Sequence, residues 1–442
     1  MSWRRRDWLC ATAAPLGWAL AGCGTAPAAA PSPSGAPWGW AAVADRGDGG
    51  TTGGAPARPE HRFDVHDRAG LAAALRLGDT PKFIRLHTHI DLAADAQGRP
   101  QGPETWADPA FSWAAFEAAY DPSTWGRQAP KGPLEDARKR SAQRQAQAVV
   151  LRLPPNTTVV GVRPGAGFSN GMVLLENVHN VVLRHLVFRD AFDHFPAWDP
   201  NDNAHGEWNS EFDSLSLRNA QRVWVDHCAF DDGQRPDSAG RLALGRRLQH
   251  HDGLLDITKA SDRVTVSFCR FHSHDKTMLI GSGDGQTADE GRLRVTLHHN
   301  HFHHCKERTP RVRFGQVHLF NNLFSADNAA EYAYSLGIGF RSKVVAEDNA
   351  WRLPAEVPAH QLLRVLKGTA LAAQGHVLNG QPVDLRAAWQ QAHPTLPPLA
   401  SEVDWLPATV YGAARAHPAW RPAGSLPAWL PGAVGPQPHV AG

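Results

Sequence analysis

Between residues 181 and 351 the chain repeats one arrangement of apolar and polar positions. Val181-Val182-Leu183, Val223-Trp224-Val225, Val264-Thr265-Val266, Val295-Thr296-Leu297, Val317-His318-Leu319 and Val344-Val345-Ala346 are short runs rich in β-branched residues. Five residues after the first Val of each run stand Leu186, Cys228, Cys269, Asn300, Asn322 and Asn349. Two residues further on stand Phe188, Phe230, Phe271, Phe302, Phe324 and Trp351. The interval between runs varies from 22 residues (Val295 to Val317) to 42 (Val181 to Val223), so each unit combines a constant strand with a variable loop. Repeats of this size mark a solenoid or a propeller, and alternation with period two excludes a helical solenoid. We therefore expect a right-handed parallel β-helix. Its turns stack about 4.8 Å apart, so the aromatic positions form an internal stack. The Asn positions form an amide ladder at a bend, with Cys228 and Cys269 as small buried members of the same ladder.

The flanking sequence supplies the ends of the solenoid. Asp67 to Leu75 reads as a short capped helix and is the candidate N-terminal cap. Lys82–Leu86, Ala148–Leu153 and Thr157–Val162 read as strands. Residues 95–147, polar and rich in helix formers, form an excursion between them. From 352 to 442 the repeat is lost, and an irregular tail with several Trp is expected along the outside of the coil.

Ahead of the coil, three segments follow from local composition. Residues 1–23 read as an export signal, with Arg4, Arg5 and Arg6 before an apolar stretch, Trp8 to Leu20, too short to span a bilayer. Leu20-Ala21-Gly22-Cys23 resembles a lipobox, which would place a lipid on Cys23 and tether the chain to a membrane. Arg5-Arg6-Asp7-Trp8-Leu9 resembles a twin-arginine signal; an ordinary signal peptide with a chance Cys is the alternative. Residues 24–60, rich in Ala, Pro, Gly and Ser, read as a flexible linker. Residues 61–442 are then one domain, expected to act as a monomer in the cell envelope or outside the cell.

Charge narrows the partners. The formal net charge is +2, and three Arg and one Asp lie in the leader, so the remainder is near zero. Such a chain lacks the basic face that nucleic-acid binding needs. Of the five Cys, Cys10 and Cys23 fall in the leader region; Cys228, Cys269 and Cys305 show no zinc-ligand spacing.

Stacking also gathers charge. Asp213 precedes the Val223 run by ten residues, and Asp252 and Asp256 precede the Val264 run by twelve and eight. Consecutive turns thus bring the three acids into one strand position, and hard oxygen donors at this density favour Ca²⁺. Isolated surface acids are the blander alternative. Lys276 and Arg308 occupy near-equivalent places twelve and thirteen residues after their Val, with Arg311 and Arg313 alternating beyond. Cations beside a calcium site suit a polyanionic sugar chain; simple Asp–Arg pairing does not explain why both signs gather at one phase. The run His298, His299, His301, His303 and His304 is expected to make structural hydrogen bonds rather than bind zinc. His250, His251 and His274 flank the acids in supporting positions.

Six segments carry a family resemblance: "NVVLRHLVF" from Asn180, "EFDSLSL" from Glu211, "VWVDHCAF" from Val223, "HDGLLDI" from His251, "HDKTMLIG" from His274 and "RTPRVRFGQVHLFNN" from Arg308. In this order they resemble the pectate lyases of the first polysaccharide lyase family. The resemblance implies calcium-dependent β-elimination of polygalacturonate. It also implies Asp213, Asp252 and Asp256 as calcium ligands, Lys276 on the substrate carboxylate, Arg308 as base and Arg313 as a substrate-binding group. Neighbouring Ca²⁺, Lys276 and Arg313 are expected to lower the pKa of Arg308. A calcium-free pectin lyase acting on methyl-esterified chains, and a non-catalytic β-helix that holds acidic polysaccharide, are the rival readings.

Overall fold

The computed structural model describes residues 35–44 and 48–437. The chain winds as a parallel β-helix of three sheets. One turn runs through Leu215–Arg218 in one sheet, Gln221–Asp226 in the next and Ala229–Asp231 in the third, then loops to Leu255–Thr258 directly above the first. The repeat read from sequence is the register itself: Val223 pairs with Val181 and Val264, and Val317 with Val295 and Val344.

The interior follows from that register. Phe188, Phe230, Phe271, Phe302, Phe324 and Trp351 stack with ring centroids 4.8, 4.8, 4.9, 5.2 and 4.8 Å apart and planes within 14° of parallel. Phe168 extends the stack by one turn. The bend ladder is continuous. The backbone N–H of Cys228 donates to Cys269 Sγ, that of Cys269 to Asn300 Oδ1, that of Asn300 to Asn322 Oδ1, and that of Asn322 to Asn349 Oδ1. Each of the three Asn amides also donates to a carbonyl of the turn below, so buried donors and acceptors are matched. Cys228, Cys269 and Cys305 are buried free thiols.

Two expectations are corrected. The repeat does not end at 352. Leu371–Gln374 pairs with Lys343–Glu347, His376 Nδ1 accepts from the Asn349 N–H in the ladder position, and Leu378 takes the place of the aromatic beneath Trp351. Only beyond this turn does the chain leave the coil and pack outside it, with Leu426, Leu430 and Val434 against Leu323 and Ala350. The second correction concerns residues 24–60. The described part of this segment lies along the outer face of the Val-run sheet. Trp40 and Ala41 are buried, their N–H groups donate to Thr296 and Thr265, and Gly53 and Gly54 donate to Asn180 and Thr158. Trp38 and Trp40 meet Tyr411 and Trp405 of the C-terminal tail, so the two terminal segments cover one sheet together. Close approach explains the glycines there: a Cβ at Gly54 would fall 1.8 Å from the Lys82 carbonyl.

The N-terminal helix forms at Arg68–Leu75, with Asp67 accepting from the Gly70 N–H as its cap. The excursion forms four helices, the longest Pro133–Val149, around a separate aromatic cluster that includes Phe116, Tyr120 and Trp208. No helix among the described residues is long and apolar enough to cross a membrane. The leader and Cys23 lie outside the described residues.

Candidate active site

The charged residues collect where the third sheet hands over to the sheet containing Leu215–Arg218 and Leu255–Thr258. Register sets Leu215 against Leu255 and Ser216 against Asp256. Asp256 is therefore within a strand, whereas Asp213 and Asp252 sit in the chain just before their strands, a small departure from the expected common strand position. Asp213 and Asp256 are 4% and 8% exposed; the Asp252 side chain is 35% exposed.

Gly253 shows how close the buried pair is. A Cβ at this position would lie 2.5 Å from Asp256 Oδ1 and 3.0 Å from Asp213 Oδ1, so both carboxylates lean over a residue that must have no side chain. Asp213 accepts from the Gly253 N–H at 3.0 Å and Asp256 from the Leu279 N–H at 2.9 Å. Burial, then the charge of Asp252, pushes Asp213 above the carboxylate range; burial, then Asp213 and Asp252, pushes Asp256 well above it too. Hard oxygen donors held together against mutual repulsion fit Ca²⁺, whose charge would relieve both causes of the shift.

The cations stand beside them. Lys276, at the end of Arg270–Lys276, reaches Asp252 Oδ1 at 3.1 Å. Its partner on the next turn is Glu307, so Arg308 lies one residue beyond it, as the spacings of twelve and thirteen residues give, at the corner, with φ 59°. Arg308 Nε donates to Glu307 at 3.1 Å. The lowering expected from Ca²⁺, Lys276 and Arg313 together is not seen in the metal-free protein. Burial does act downward, but Glu307, Asp256, Tyr334 and Asp252 face it and the net direction is upward. Arg311 and Arg313 flank buried Val312 and share the outer face, as alternation predicts. Arg313 is held by Asp284 (2.9 Å) and the Gly281 carbonyl (2.9 Å). Arg311 has no ion pair among the described residues and its buried Nε lacks a partner; burial, then Arg313, lowers its pKa.

Behind the acids lies a layer that sequence reasoning placed only as flanking. His251 bridges Asp237 (2.7 Å) and Asp190 (3.0 Å); burial opposes its charge, yet the two carboxylates push it up to about 10. His274 bridges Asp232 and the Asp252 carbonyl, and despite burial Asp232 raises it. Glu307, Asp284 and Asp232 were not singled out from sequence, though Asp232 stands two residues after Phe230 and Glu307 directly before Arg308. A cavity of about 840 Å³ opens beside this layer, lined by Asp232, His251, His274, Lys276, Arg246 and Lys306 among others. It takes in Lys276 but neither the buried acids nor Arg308.

The histidine run makes structural bonds. His301 and His303 share the Ser325 hydroxyl at 2.8 and 2.9 Å. Nitrogens of His298, His299 and His417 fall within 4.8 Å of one another, but Ala419 accounts for two of the rings. Its carbonyl accepts from His299 Nε2 and its N–H donates to His417 Nδ1. A neutral His417 then carries its proton on Nε2 and has no lone pair left for a cation.

Fold and site together define a β-helical protein with acids and cations gathered at one corner, and comparison with known proteins gives its family. The sequence profile of the family described as pectate lyase matches residues 133–392. A pectate lyase of Bacillus subtilis (strain 168) is 38% identical over 375 residues, covering 84% of this chain and 86% of that protein. Among solved structures, a thermostable pectate lyase superposes with a TM-score of 0.84 at 38% identity, covering 90% of this chain and 96% of that one. A pectate lyase bound to a hexasaccharide superposes with a TM-score of 0.82 at 35% identity and the same coverage. The chain belongs to the pectate lyase family.

Proposed function

We propose that this protein is a calcium-dependent pectate lyase that cleaves (1→4)-α-D-galacturonan by β-elimination, releasing unsaturated oligogalacturonides. The observation that carries this reading is the pair of buried carboxylates, Asp213 and Asp256, leaning over Gly253, with Asp256 within the electrostatic reach of Arg308. The hexasaccharide bound by a structural relative supports an oligosaccharide chain as the ligand.

Asp213, Asp252 and Asp256 would hold the calcium. Bound there, the ion would neutralise these acids and supply positive charge against the charge that develops at C5. Lys276 exchanges Asp252 for a galacturonate carboxylate and adds a point charge. Arg311, whose Nε has no partner, and Arg313, steadied by Asp284, receive neighbouring carboxylates. Arg308 in its neutral form takes the C5 proton. The electrons of the C5–H bond become the C4=C5 double bond as the C4–O bond breaks, and its electron pair leaves on the glycosidic oxygen, which takes a proton from water. Since the resting acids raise Arg308, the neutral form is scarce until they are neutralised, and activity rises towards alkaline pH.

The reading includes an exported monomer, with Cys23 as a possible lipid attachment point. Ultraviolet absorbance of the C4=C5 product on polygalacturonate, with added Ca²⁺ and with chelator, tests it. Product formed only with Ca²⁺ is expected. Equal rates in chelator on methyl-esterified pectin would favour the pectin lyase reading, and no product on either polymer the binding-protein reading.

A further inference from the structure

The strand Arg270–Lys276 grips Asp252 at two points. Lys276 meets its carboxylate at 3.1 Å. His274, two residues earlier and on the same side of the strand, donates from Nε2 to the Asp252 carbonyl at 2.7 Å. The other ring nitrogen, Nδ1, lies 2.8 and 2.9 Å from the two oxygens of Asp232. Both nitrogens therefore face acceptors, both carry protons, and the ring is 6% exposed. The Asp252 N–H is engaged as well, donating to the Phe212 carbonyl at 3.1 Å. The main chain of Asp252 is thus pinned on both sides, while its side chain is the most exposed of the three acids and is held by a lysine with another task.

We propose that His274, buttressed by Asp232, is a positioning residue: it fixes the Asp252 main chain so that the carboxylate can exchange Lys276 for calcium without the loop following. This rests on the calcium role proposed for Asp252. His274 touches neither substrate nor ion. Its contribution is that Asp252 arrives at the site already oriented, as hydrogen-bonded supports of metal-ligating carboxylates do elsewhere.

Calorimetric titration of Ca²⁺ into the metal-stripped full chain, without polysaccharide, tests this, with thermal melting of each variant alongside. His274→Leu is expected to weaken calcium binding about 10- to 100-fold. His274→Gln, whose amide replaces the Nε2 donor, should stay within about 5-fold of the parent, and Asp232→Asn should fall between. A merely structural role would lower the melting temperature of His274→Leu and leave its calcium affinity unchanged, and that result overturns the proposal. Should His274→Leu not fold, Asp232→Asn decides: unchanged affinity there overturns it equally. Absence of calcium binding by the parent protein is a separate result, which removes the proposed cofactor and this role with it.

Discussion

The interior of the coil and the corner that bears Asp213 and Asp256 obey one rule with opposite results. Inside, stacking sets like on like and each group gains a partner: Phe230 lies on Phe188 and Phe271, and Asn322 hydrogen-bonds Asn300 and Asn349. At the corner, stacking brings like charges together out of register, with Asp256 against Ser216, and burial and neighbouring carboxylate charge push Asp213 and Asp256 above their ordinary range. The solenoid holds the acids against this repulsion because the ladders beneath fix the turns. The partnered groups are concentrated in the stack, and the repulsion that the proposed calcium would relieve is concentrated at the corner.

Substitutions on the two sides should therefore separate activity from stability. The largest effect is expected at Arg308. Arg308→Ala should lower turnover on polygalacturonate by roughly 10³-fold, about 4 kcal/mol of transition-state stabilisation, with its melting temperature close to the parent's. Arg308→Lys should also be impaired, and near-normal turnover in both variants would exclude Arg308 as the base. Next comes Asn322→Ala, which leaves the buried Asn300 N–H and the Leu297 carbonyl without partners. It should cost about 3 kcal/mol in denaturant unfolding, while the folded fraction keeps the parent's turnover; lost turnover at unchanged stability would break the division. Smallest is the effect of Asp256→Asn on the metal-free protein. Asp256 is raised in the folded state, so the fold binds its proton more tightly than the unfolded chain. That contribution is lost as pH rises through the folded pKa. Melting curves of the metal-free parent should thus show a loss of stability, relative to Asp256→Asn, on going from acid to neutral pH. Parallel curves would show that the acids do not repel.

What could be read from sequence follows the same division. Phe188 to Trp351 and the Asn ladder were legible because each turn repeats the same residue type at the same phase. The turn through Leu371 and Leu378 was missed because His376 replaces Asn and Leu378 replaces the aromatic, although both keep the phase. Burial of Trp40 depends on Trp405 and Tyr411, hundreds of residues away, and no local pattern records that contact. At the site, Asp213, Asp252, Asp256 and Lys276 could be placed from spacing. The one-residue offset of Arg308 against Lys276 was in the spacing too, but how the corner turns there, with φ positive at Arg308, was not. The groups facing Arg308 were misjudged for the same reason: Glu307 and Tyr334 meet it through the corner, not through the ladder.

Everything at the corner depends on three acids from two turns sharing one cation. Calcium titration of the parent and of Asp213→Asn, Asp252→Asn and Asp256→Asn, each checked for folding, measures this directly. The account predicts one site in the parent and an affinity at least about 10-fold weaker in every variant. A variant that keeps the parent's affinity, or a parent with no binding at all, would contradict it.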